Sequence, residues 1–176
     1  MSTIKVENLT GLSSGANANK IIVPSGQTLD ASNGFTAPAG HVIQVKSQTW
    51  STQTVSGGNT FADVASSAMS FTPKYSDSLI IIQAFMHIRW SDAASNGGAC
   101  RLMYNGNPIS SNATYANYDD HNSNTYQGYA IADKVTSGTT SSVIIKIQLA
   151  RHSGGNFWVN WGAQFYSNMT VQEIKQ

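Results

Sequence analysis

The residues best suited to chemistry lie between Asn105 and Gln127, in the stretch NGNPISSNATYANYDDHNSNTYQ. Here Tyr115, Tyr118 and Tyr126 are interleaved with Asp119, Asp120, His121, Asn122 and Asn124. The mixture is that of a recognition surface. Tyrosine supplies rigid aromatic area at low entropic cost, and asparagine and aspartate supply adaptable hydrogen bonding. Tyrosine faces stack on the apolar faces of sugar rings, while Asn and Asp oxygens accept from sugar hydroxyls. The stretch reads as one long polar loop, and loops of that length in a compact β domain are frequently functional. These residues are the predicted binding site. The plainer reading makes the tyrosines a cover for the rim of a β-sandwich or for a seam between subunits.

Other constellations carry less. Asp119-Asp120-His121 offers oxygen and imidazole ligands, but three adjacent residues rarely converge on one ion and no EF-hand or HExxH spacing is present, so no metal is predicted. His87 and Arg89 share one face of a strand and Met86, Ile88 and Trp90 the other. That pair suits an anion or sugar surface, but arginine and aromatic residues are enriched at subunit interfaces, which is the preferred reading. Phe157, Trp158 and Trp161 read first as core or interface and second as a stacking platform. Catalysis has little to work with. Asp and Glu total only 9, no GxSxG occurs, and Cys100 has no catalytic context, so neither an enzyme nor a cofactor is predicted.

The elements that must position these residues are β-strands. Charged residues are 11% of the 176, against roughly 25% in an ordinary soluble protein. Ser, Thr, Asn and Gly fill the deficit, as in extracellular β-proteins and viral appendages. The net charge of +1 and the absence of a basic run exclude the electrostatic footprint of a nucleic-acid binder. No apolar run is long enough to span a membrane as a helix, so no membrane insertion is predicted. The start, MSTIKVENL, lacks the apolar region of a signal peptide, which predicts synthesis in a cytoplasm and release by lysis.

From His41 onward the pattern gives seven to nine short strands and no helix. Ser78–Trp90 (SLIIIQAFMHIRW) is predicted as the central buried strand, on its density of β-branched and aromatic residues. Met69 and Phe71 share a face of a short strand, and Asn105-Gly106 marks a tight hairpin. Further strands are predicted over Thr125–Val135, Ser142–Arg151, Asn156–Asn160 and Met169–Lys175, with polar loops at Thr52–Thr60 and over 111–124. The fold class is all-β: a stem over residues 1–40 and a jelly-roll-like sandwich over 41–176. The stem alternates small β patches (IKV, KIIV) with Gly/Ser/Asn turns and has too few large apolar residues to bury itself. Partner chains would have to cover it.

Two stretches carry a family resemblance. Ala18–Asp30 (ANKIIVPSGQTLD) and Pro38–Val45 (PAGHVIQV) resemble the N-terminal part of tail-fibre and related virion-fibre proteins of marine and cyanobacterial bacteriophages. More loosely, SFTPKYSDSLIIIQAFMHI resembles a strand-turn-strand of their heads and MTVQEIKQ their closing strand. The resemblance implies a homotrimeric virion appendage with a head similar to C1q/TNF-like jelly rolls. The expected function is then a trimeric phage fibre protein, joined to other virion proteins through residues 1–40, whose head recognises a host-surface glycan or protein. The alternative is a structural virion component without receptor binding: a capsid-surface fibre, a decoration protein or a connector. A cellular lectin or adhesin fits less well with the phage-like N-terminus.

Overall fold

The computed structural model describes residues 13–15, 25–26, 38–56, 58–90, 96–109, 114–119, 125–153, 155–162 and 165–176. The chain divides into two compact units, Met1–Thr36 and Ala37–Gln176. The described strands of the second unit run in chain order β1 (Val42–Trp50), β2 (Thr54–Ser56), β3 (Ala62–Asp63), β4 (Met69–Phe71), β5 (Leu79–Trp90) and β6 (Asn96–Tyr104). They continue as β7 (Asn107–Pro108), β8 (Thr114–Asp119), β9 (Thr125–Thr136), β10 (Val143–Ser153), β11 (Phe157–Val159) and β12 (Ser167–Ile174). No helix occurs among the described residues.

The strands form two antiparallel sheets. In the first, β5 is central: β9 pairs along its whole length on one side, and β12 then β11 share the other. β1 flanks β12 and β2 flanks β11. In the second sheet β10 and β6 are central, with β3 and β4 along the outer edge of β10 and β7 and β8 along that of β6. Read along the principal strands, the sheets are β1-β12-β5-β9 and β4-β10-β6-β8. That interleaving, in which the chain crosses between sheets at most of its turns, is a jelly roll.

Period-two alternation builds the core. Ile80, Ile82, Ala84, Met86, Ile88 and Trp90 of β5 all point between the sheets. Ile145, Ile147 and Leu149 of β10 face them, with Met69 and Phe71 of β4 beside those. The predicted central strand, the Met69/Phe71 face and the split of His87 and Arg89 from Met86, Ile88 and Trp90 are as the alternation requires. Asn105 and Gly106 both have positive φ (49° and 82°), the two left-handed residues of a type I′ hairpin turn.

Two readings need correction. Residues 111–124 are not one loop: Thr114–Asp119 forms β8 and pairs with β6 from Asn96 to Cys100. The Asn, Ser and Asp content argued for loop, but Thr114, Tyr115 and Tyr118 are good strand residues and the open edge of β6 offers a partner. Likewise the polar stretch Thr52–Thr60 contains β2, which pairs with β11. Strands of two or three residues bring the count above the seven to nine predicted.

One close approach sets how near the sheets come. A Cβ on Gly98 of β6 would stand 2.5 to 2.7 Å from Cδ1, Cε1 and Cγ of Phe157 on β11. Phe157 is fully buried and stacks on Trp90, with ring centroids 5.3 Å apart, so it has nowhere to retreat. Gly98→Ala is therefore expected to cost about 1–3 kcal/mol, read as a lower denaturant midpoint. Gly128→Ala is the control. Its Cβ would meet Cζ of Phe85 at 2.7 Å, but Phe85 lies on an exposed face and can swing away. Equal losses in the two variants would refute this account of the spacing.

Candidate functional site

The outer face of the first sheet is unusual in what it leaves in water. The register puts Val42 and Val45 of β1, Val55 of β2, Phe85 of β5 and Tyr126 of β9 on that one face, and all are exposed. Leu79 and Ile81, opposite Ile174 and Gln172 of β12, lie on it too. Ile81 and Ala132 floor a shallow, mainly apolar groove beside β9. Full burial of such a side chain contributes about 1.5–3 kcal/mol, and each of these, only partly covered, forgoes a share of it.

β1 shows why this face is apolar. Its alternation is reversed from the common pattern, with valines outward and long polar side chains inward. Gln44 Nε2 donates to the carbonyl of Thr72 (2.8 Å), Lys46 Nζ to that of Ser70 (2.6 Å) and Gln48 Nε2 to that of Ser66 (2.6 Å). Three side chains at i, i+2 and i+4 thus lace the open flank of the sandwich and satisfy carbonyls along the β4 side of the second sheet.

Over its described side chains the second sheet's outer face is mainly polar, with Ile144 of β10 its exposed large apolar residue. Lys146 and Gln148 donate to Asp63 at 2.6 and 2.8 Å, and Arg101 donates to Gln148. Hydrogen bonds from Lys146 and then Gln148 hold the Asp63 carboxyl below its usual range. Ser70 and Ser142 share a hydrogen bond of 2.8 Å. Among the described side chains, the first sheet's outer face thus exposes more large apolar residues than the second's, where Ile144 is the exposed one.

At the end of this face away from His41 the apolar strip becomes aromatic. The Arg89 guanidinium lies 3.8 Å from the ring centroid of Trp161, 4.7 Å from that of Trp158 and 5.5 Å from that of Tyr126. The His87 ring sits 5.2 Å from both Phe85 and Phe165, and Phe165 is 6.4 Å from Tyr126. Cation–π and ring–ring contacts hold these plates in fixed orientations. The hollow among them is only about 20 Å³, room for one water. The surface is a platform rather than a pocket.

Asn160 places Trp161 there. It is buried in the left-handed region at φ +56°, where asparagine is tolerated better than most residues. Its Nδ2 donates to the carbonyls of Trp50 (3.1 Å) and Thr52 (3.5 Å), and its Oδ1 accepts from Ser167 Oγ (2.6 Å). This anchored turn carries Trp161 to the side of Trp158.

No protein-family model matches the chain, and no similar curated protein was found. Among solved structures, it is similar to infectious bursal virus derived T=1 particles, at 9% identity and a TM-score of 0.43, covering 88% of this chain and 41% of that one. It is also similar to infectious bursal disease virus Gx strain, at 12% identity and a TM-score of 0.35, covering 86% and 42%. A third is dimeric latent PorU from Porphyromonas gingivalis, at 10% identity and a TM-score of 0.38, covering 80% and 14%. This chain spans less than half the length of each. At these values none of the three identifies a family or an activity.

The predicted site residues are divided by the fold. Tyr126 opens β9 in the first sheet and joins the aromatic platform. Tyr115, Tyr118 and Asp119 lie on β8 in the second sheet, where only the backbone is described. Asp120, His121, Asn122 and Asn124 fall outside the described residues. Phe165 was not singled out by the sequence, because neither alternation nor spacing ties WGAQFYS to β5. Cys100 is fully buried, and burial pushes its thiol up to about 12, which makes it a poor nucleophile. Among the described residues no group of three His, Cys, Asp or Glu side chains could hold a metal ion.

Proposed function

We propose that this chain is a structural protein of a virion surface, whose sandwich assembles with two further copies of itself through the apolar face of the first sheet. The observation that carries the reading is that face: Val42, Val45, Leu79, Ile81 and Ile174 lie on one side of one sheet, while the other sheet turns Lys146, Gln148, Asp63 and Arg101 to water. Apolar area on this scale is usually covered, and a closed ring of identical subunits covers it without further components. The stoichiometry of three and the virion location come from the resemblance of Ala18–Asp30 and Pro38–Val45 to phage fibre stems. Residues 1–40 attach the head to other virion proteins, and the role is assembly and surface presentation rather than catalysis.

The test is the mass in solution. Sedimentation equilibrium of the parent is expected to give three times the 18.8 kDa chain mass. Val45→Asp combined with Ala132→Asp puts two charges on exposed positions of the face and is expected to yield folded monomer with an unchanged far-UV spectrum. A monomeric parent, or an oligomer indifferent to both substitutions, would remove the proposal.

A further inference from the structure

We infer that the aromatic end of this face is a stacking platform for a single pyranose ring of a glycan, separate from the strip that joins the subunits. The inference adds a ligand to the surface-presented head proposed above, and the site needs no second subunit. Tyr126 is 54% exposed, and Trp161 and Phe165 are half-buried around it. The ring of Trp161 is locked against the Arg89 guanidinium at 3.8 Å, so little side-chain freedom is lost when a flat ligand lands.

The chemistry selects the ligand class. A sugar ring offers an apolar C–H face to an aromatic plate and hydroxyls at its rim. Here the plates are bordered by the imidazole of His87, which can bond hydroxyls. The hollow, about 20 Å³, admits no ring edgewise, so the ligand lies flat. A subunit seam has a better location on the same face. The aliphatic strip of Val42, Val45, Leu79, Ile81 and Ile174 lies toward His41, whereas Arg89 and Tyr126 lie at the far end of the β5–β9 pairing.

The protein carries its own reporter. Of its 4 tryptophans, Trp50, Trp90 and Trp158 are buried and Trp161 is the one partly open to solvent. Intrinsic fluorescence of the full-length protein is titrated with glucose, galactose, mannose, N-acetylglucosamine and N-acetylneuraminic acid, one at a time. At least one is expected to give a saturable change with a dissociation constant on the order of 1 mM, as one stacked ring permits. Tyr126→Ala keeps the reporter and is expected to weaken that binding at least about tenfold without changing the sedimentation mass. The platform is refuted by the absence of a saturable change with all five sugars, by unchanged binding in Tyr126→Ala, or by dissociation of that variant into monomers, which would make the ring part of the seam. A monomeric parent that still binds sugar would sink the assembly reading and leave the platform standing.

Discussion

Glu173→Ala is expected to lower the thermal midpoint at neutral pH by about 10 °C, the equivalent of about 3 kcal/mol in a domain of this size. Glu173 is fully buried on the inner side of β12, opposite Gln44 of β1 and Ile80 of β5. Its Oε2 accepts from Gln44 Nε2 at 2.6 Å and from the Lys74 N–H at 3.0 Å. Its Oε1 accepts from the Lys74 and Tyr75 N–H groups at 2.8 and 3.1 Å. Lys74 and Tyr75 lie in the connection that carries the chain from β4 in one sheet to β5 in the other. One carboxylate thus pins a crossover, and alanine would leave two backbone donors and an amide without their acceptor.

The pH dependence follows from the same contacts. Burial alone would push the Glu173 carboxyl up, but the donors from Gln44, Lys74 and Tyr75 outweigh it and hold the group below its ordinary 4.5. A carboxylate with a depressed folded value contributes stability that is complete above the unfolded value and is lost as pH falls through the folded one. The parent is therefore expected to lose midpoint steadily below about pH 4.5, and Glu173→Gln to show a flatter acid limb from a lower starting point. Melts at one fixed protein concentration check both, since assembly makes the midpoint concentration-dependent. An alanine variant that melts with the parent would show that the crossover holds itself.

Asn160→Ala is expected to cost about 3 kcal/mol and to displace Trp161. Three hydrogen bonds disappear, two of them buried, to Trp50 and Ser167, and a longer, partly buried one to Thr52. Alanine must also hold φ +56°, a strain of roughly 1 kcal/mol or more that asparagine bears better. Asn160→Gly removes that strain but not the lost bonds, so its stability should fall between alanine and the parent. Because Asn160 ends the turn that sets Trp161 against Arg89, a red-shifted tryptophan emission should accompany the loss in Asn160→Ala. An unshifted spectrum in a destabilised variant would separate the stability of the turn from the placement of the platform.

Much of the fold was legible because alternation is a local property. The dense apolar run of β5 had to be central, Met69 and Phe71 had to share a face, and Asn105-Gly106 had to turn. Loop assignments are not local in this way. Polarity hid β8, because whether Thr114–Asp119 pairs depends on the open edge of β6 and not on its own residues. The candidate site was harder still. The Tyr/Asn/Asp run suggested one constellation, but the chain crosses between sheets within it, so Tyr115, Tyr118 and Asp119 go to one sheet and Tyr126 to the other.

By itself the sequence determined an all-β chain, the position of its central strand and which residues of that strand face inward, since each follows from period-two geometry. It also held every side chain of the aromatic platform without saying that they meet. Only the tertiary structure brought Arg89, Tyr126, Trp158, Trp161 and Phe165 together, because their contacts join strands and a turn far apart in the chain. It alone decided which side of β1 faces outward. The valines lost the interior there because Gln44, Lys46 and Gln48 are needed to close the flank against the carbonyls of Thr72, Ser70 and Ser66.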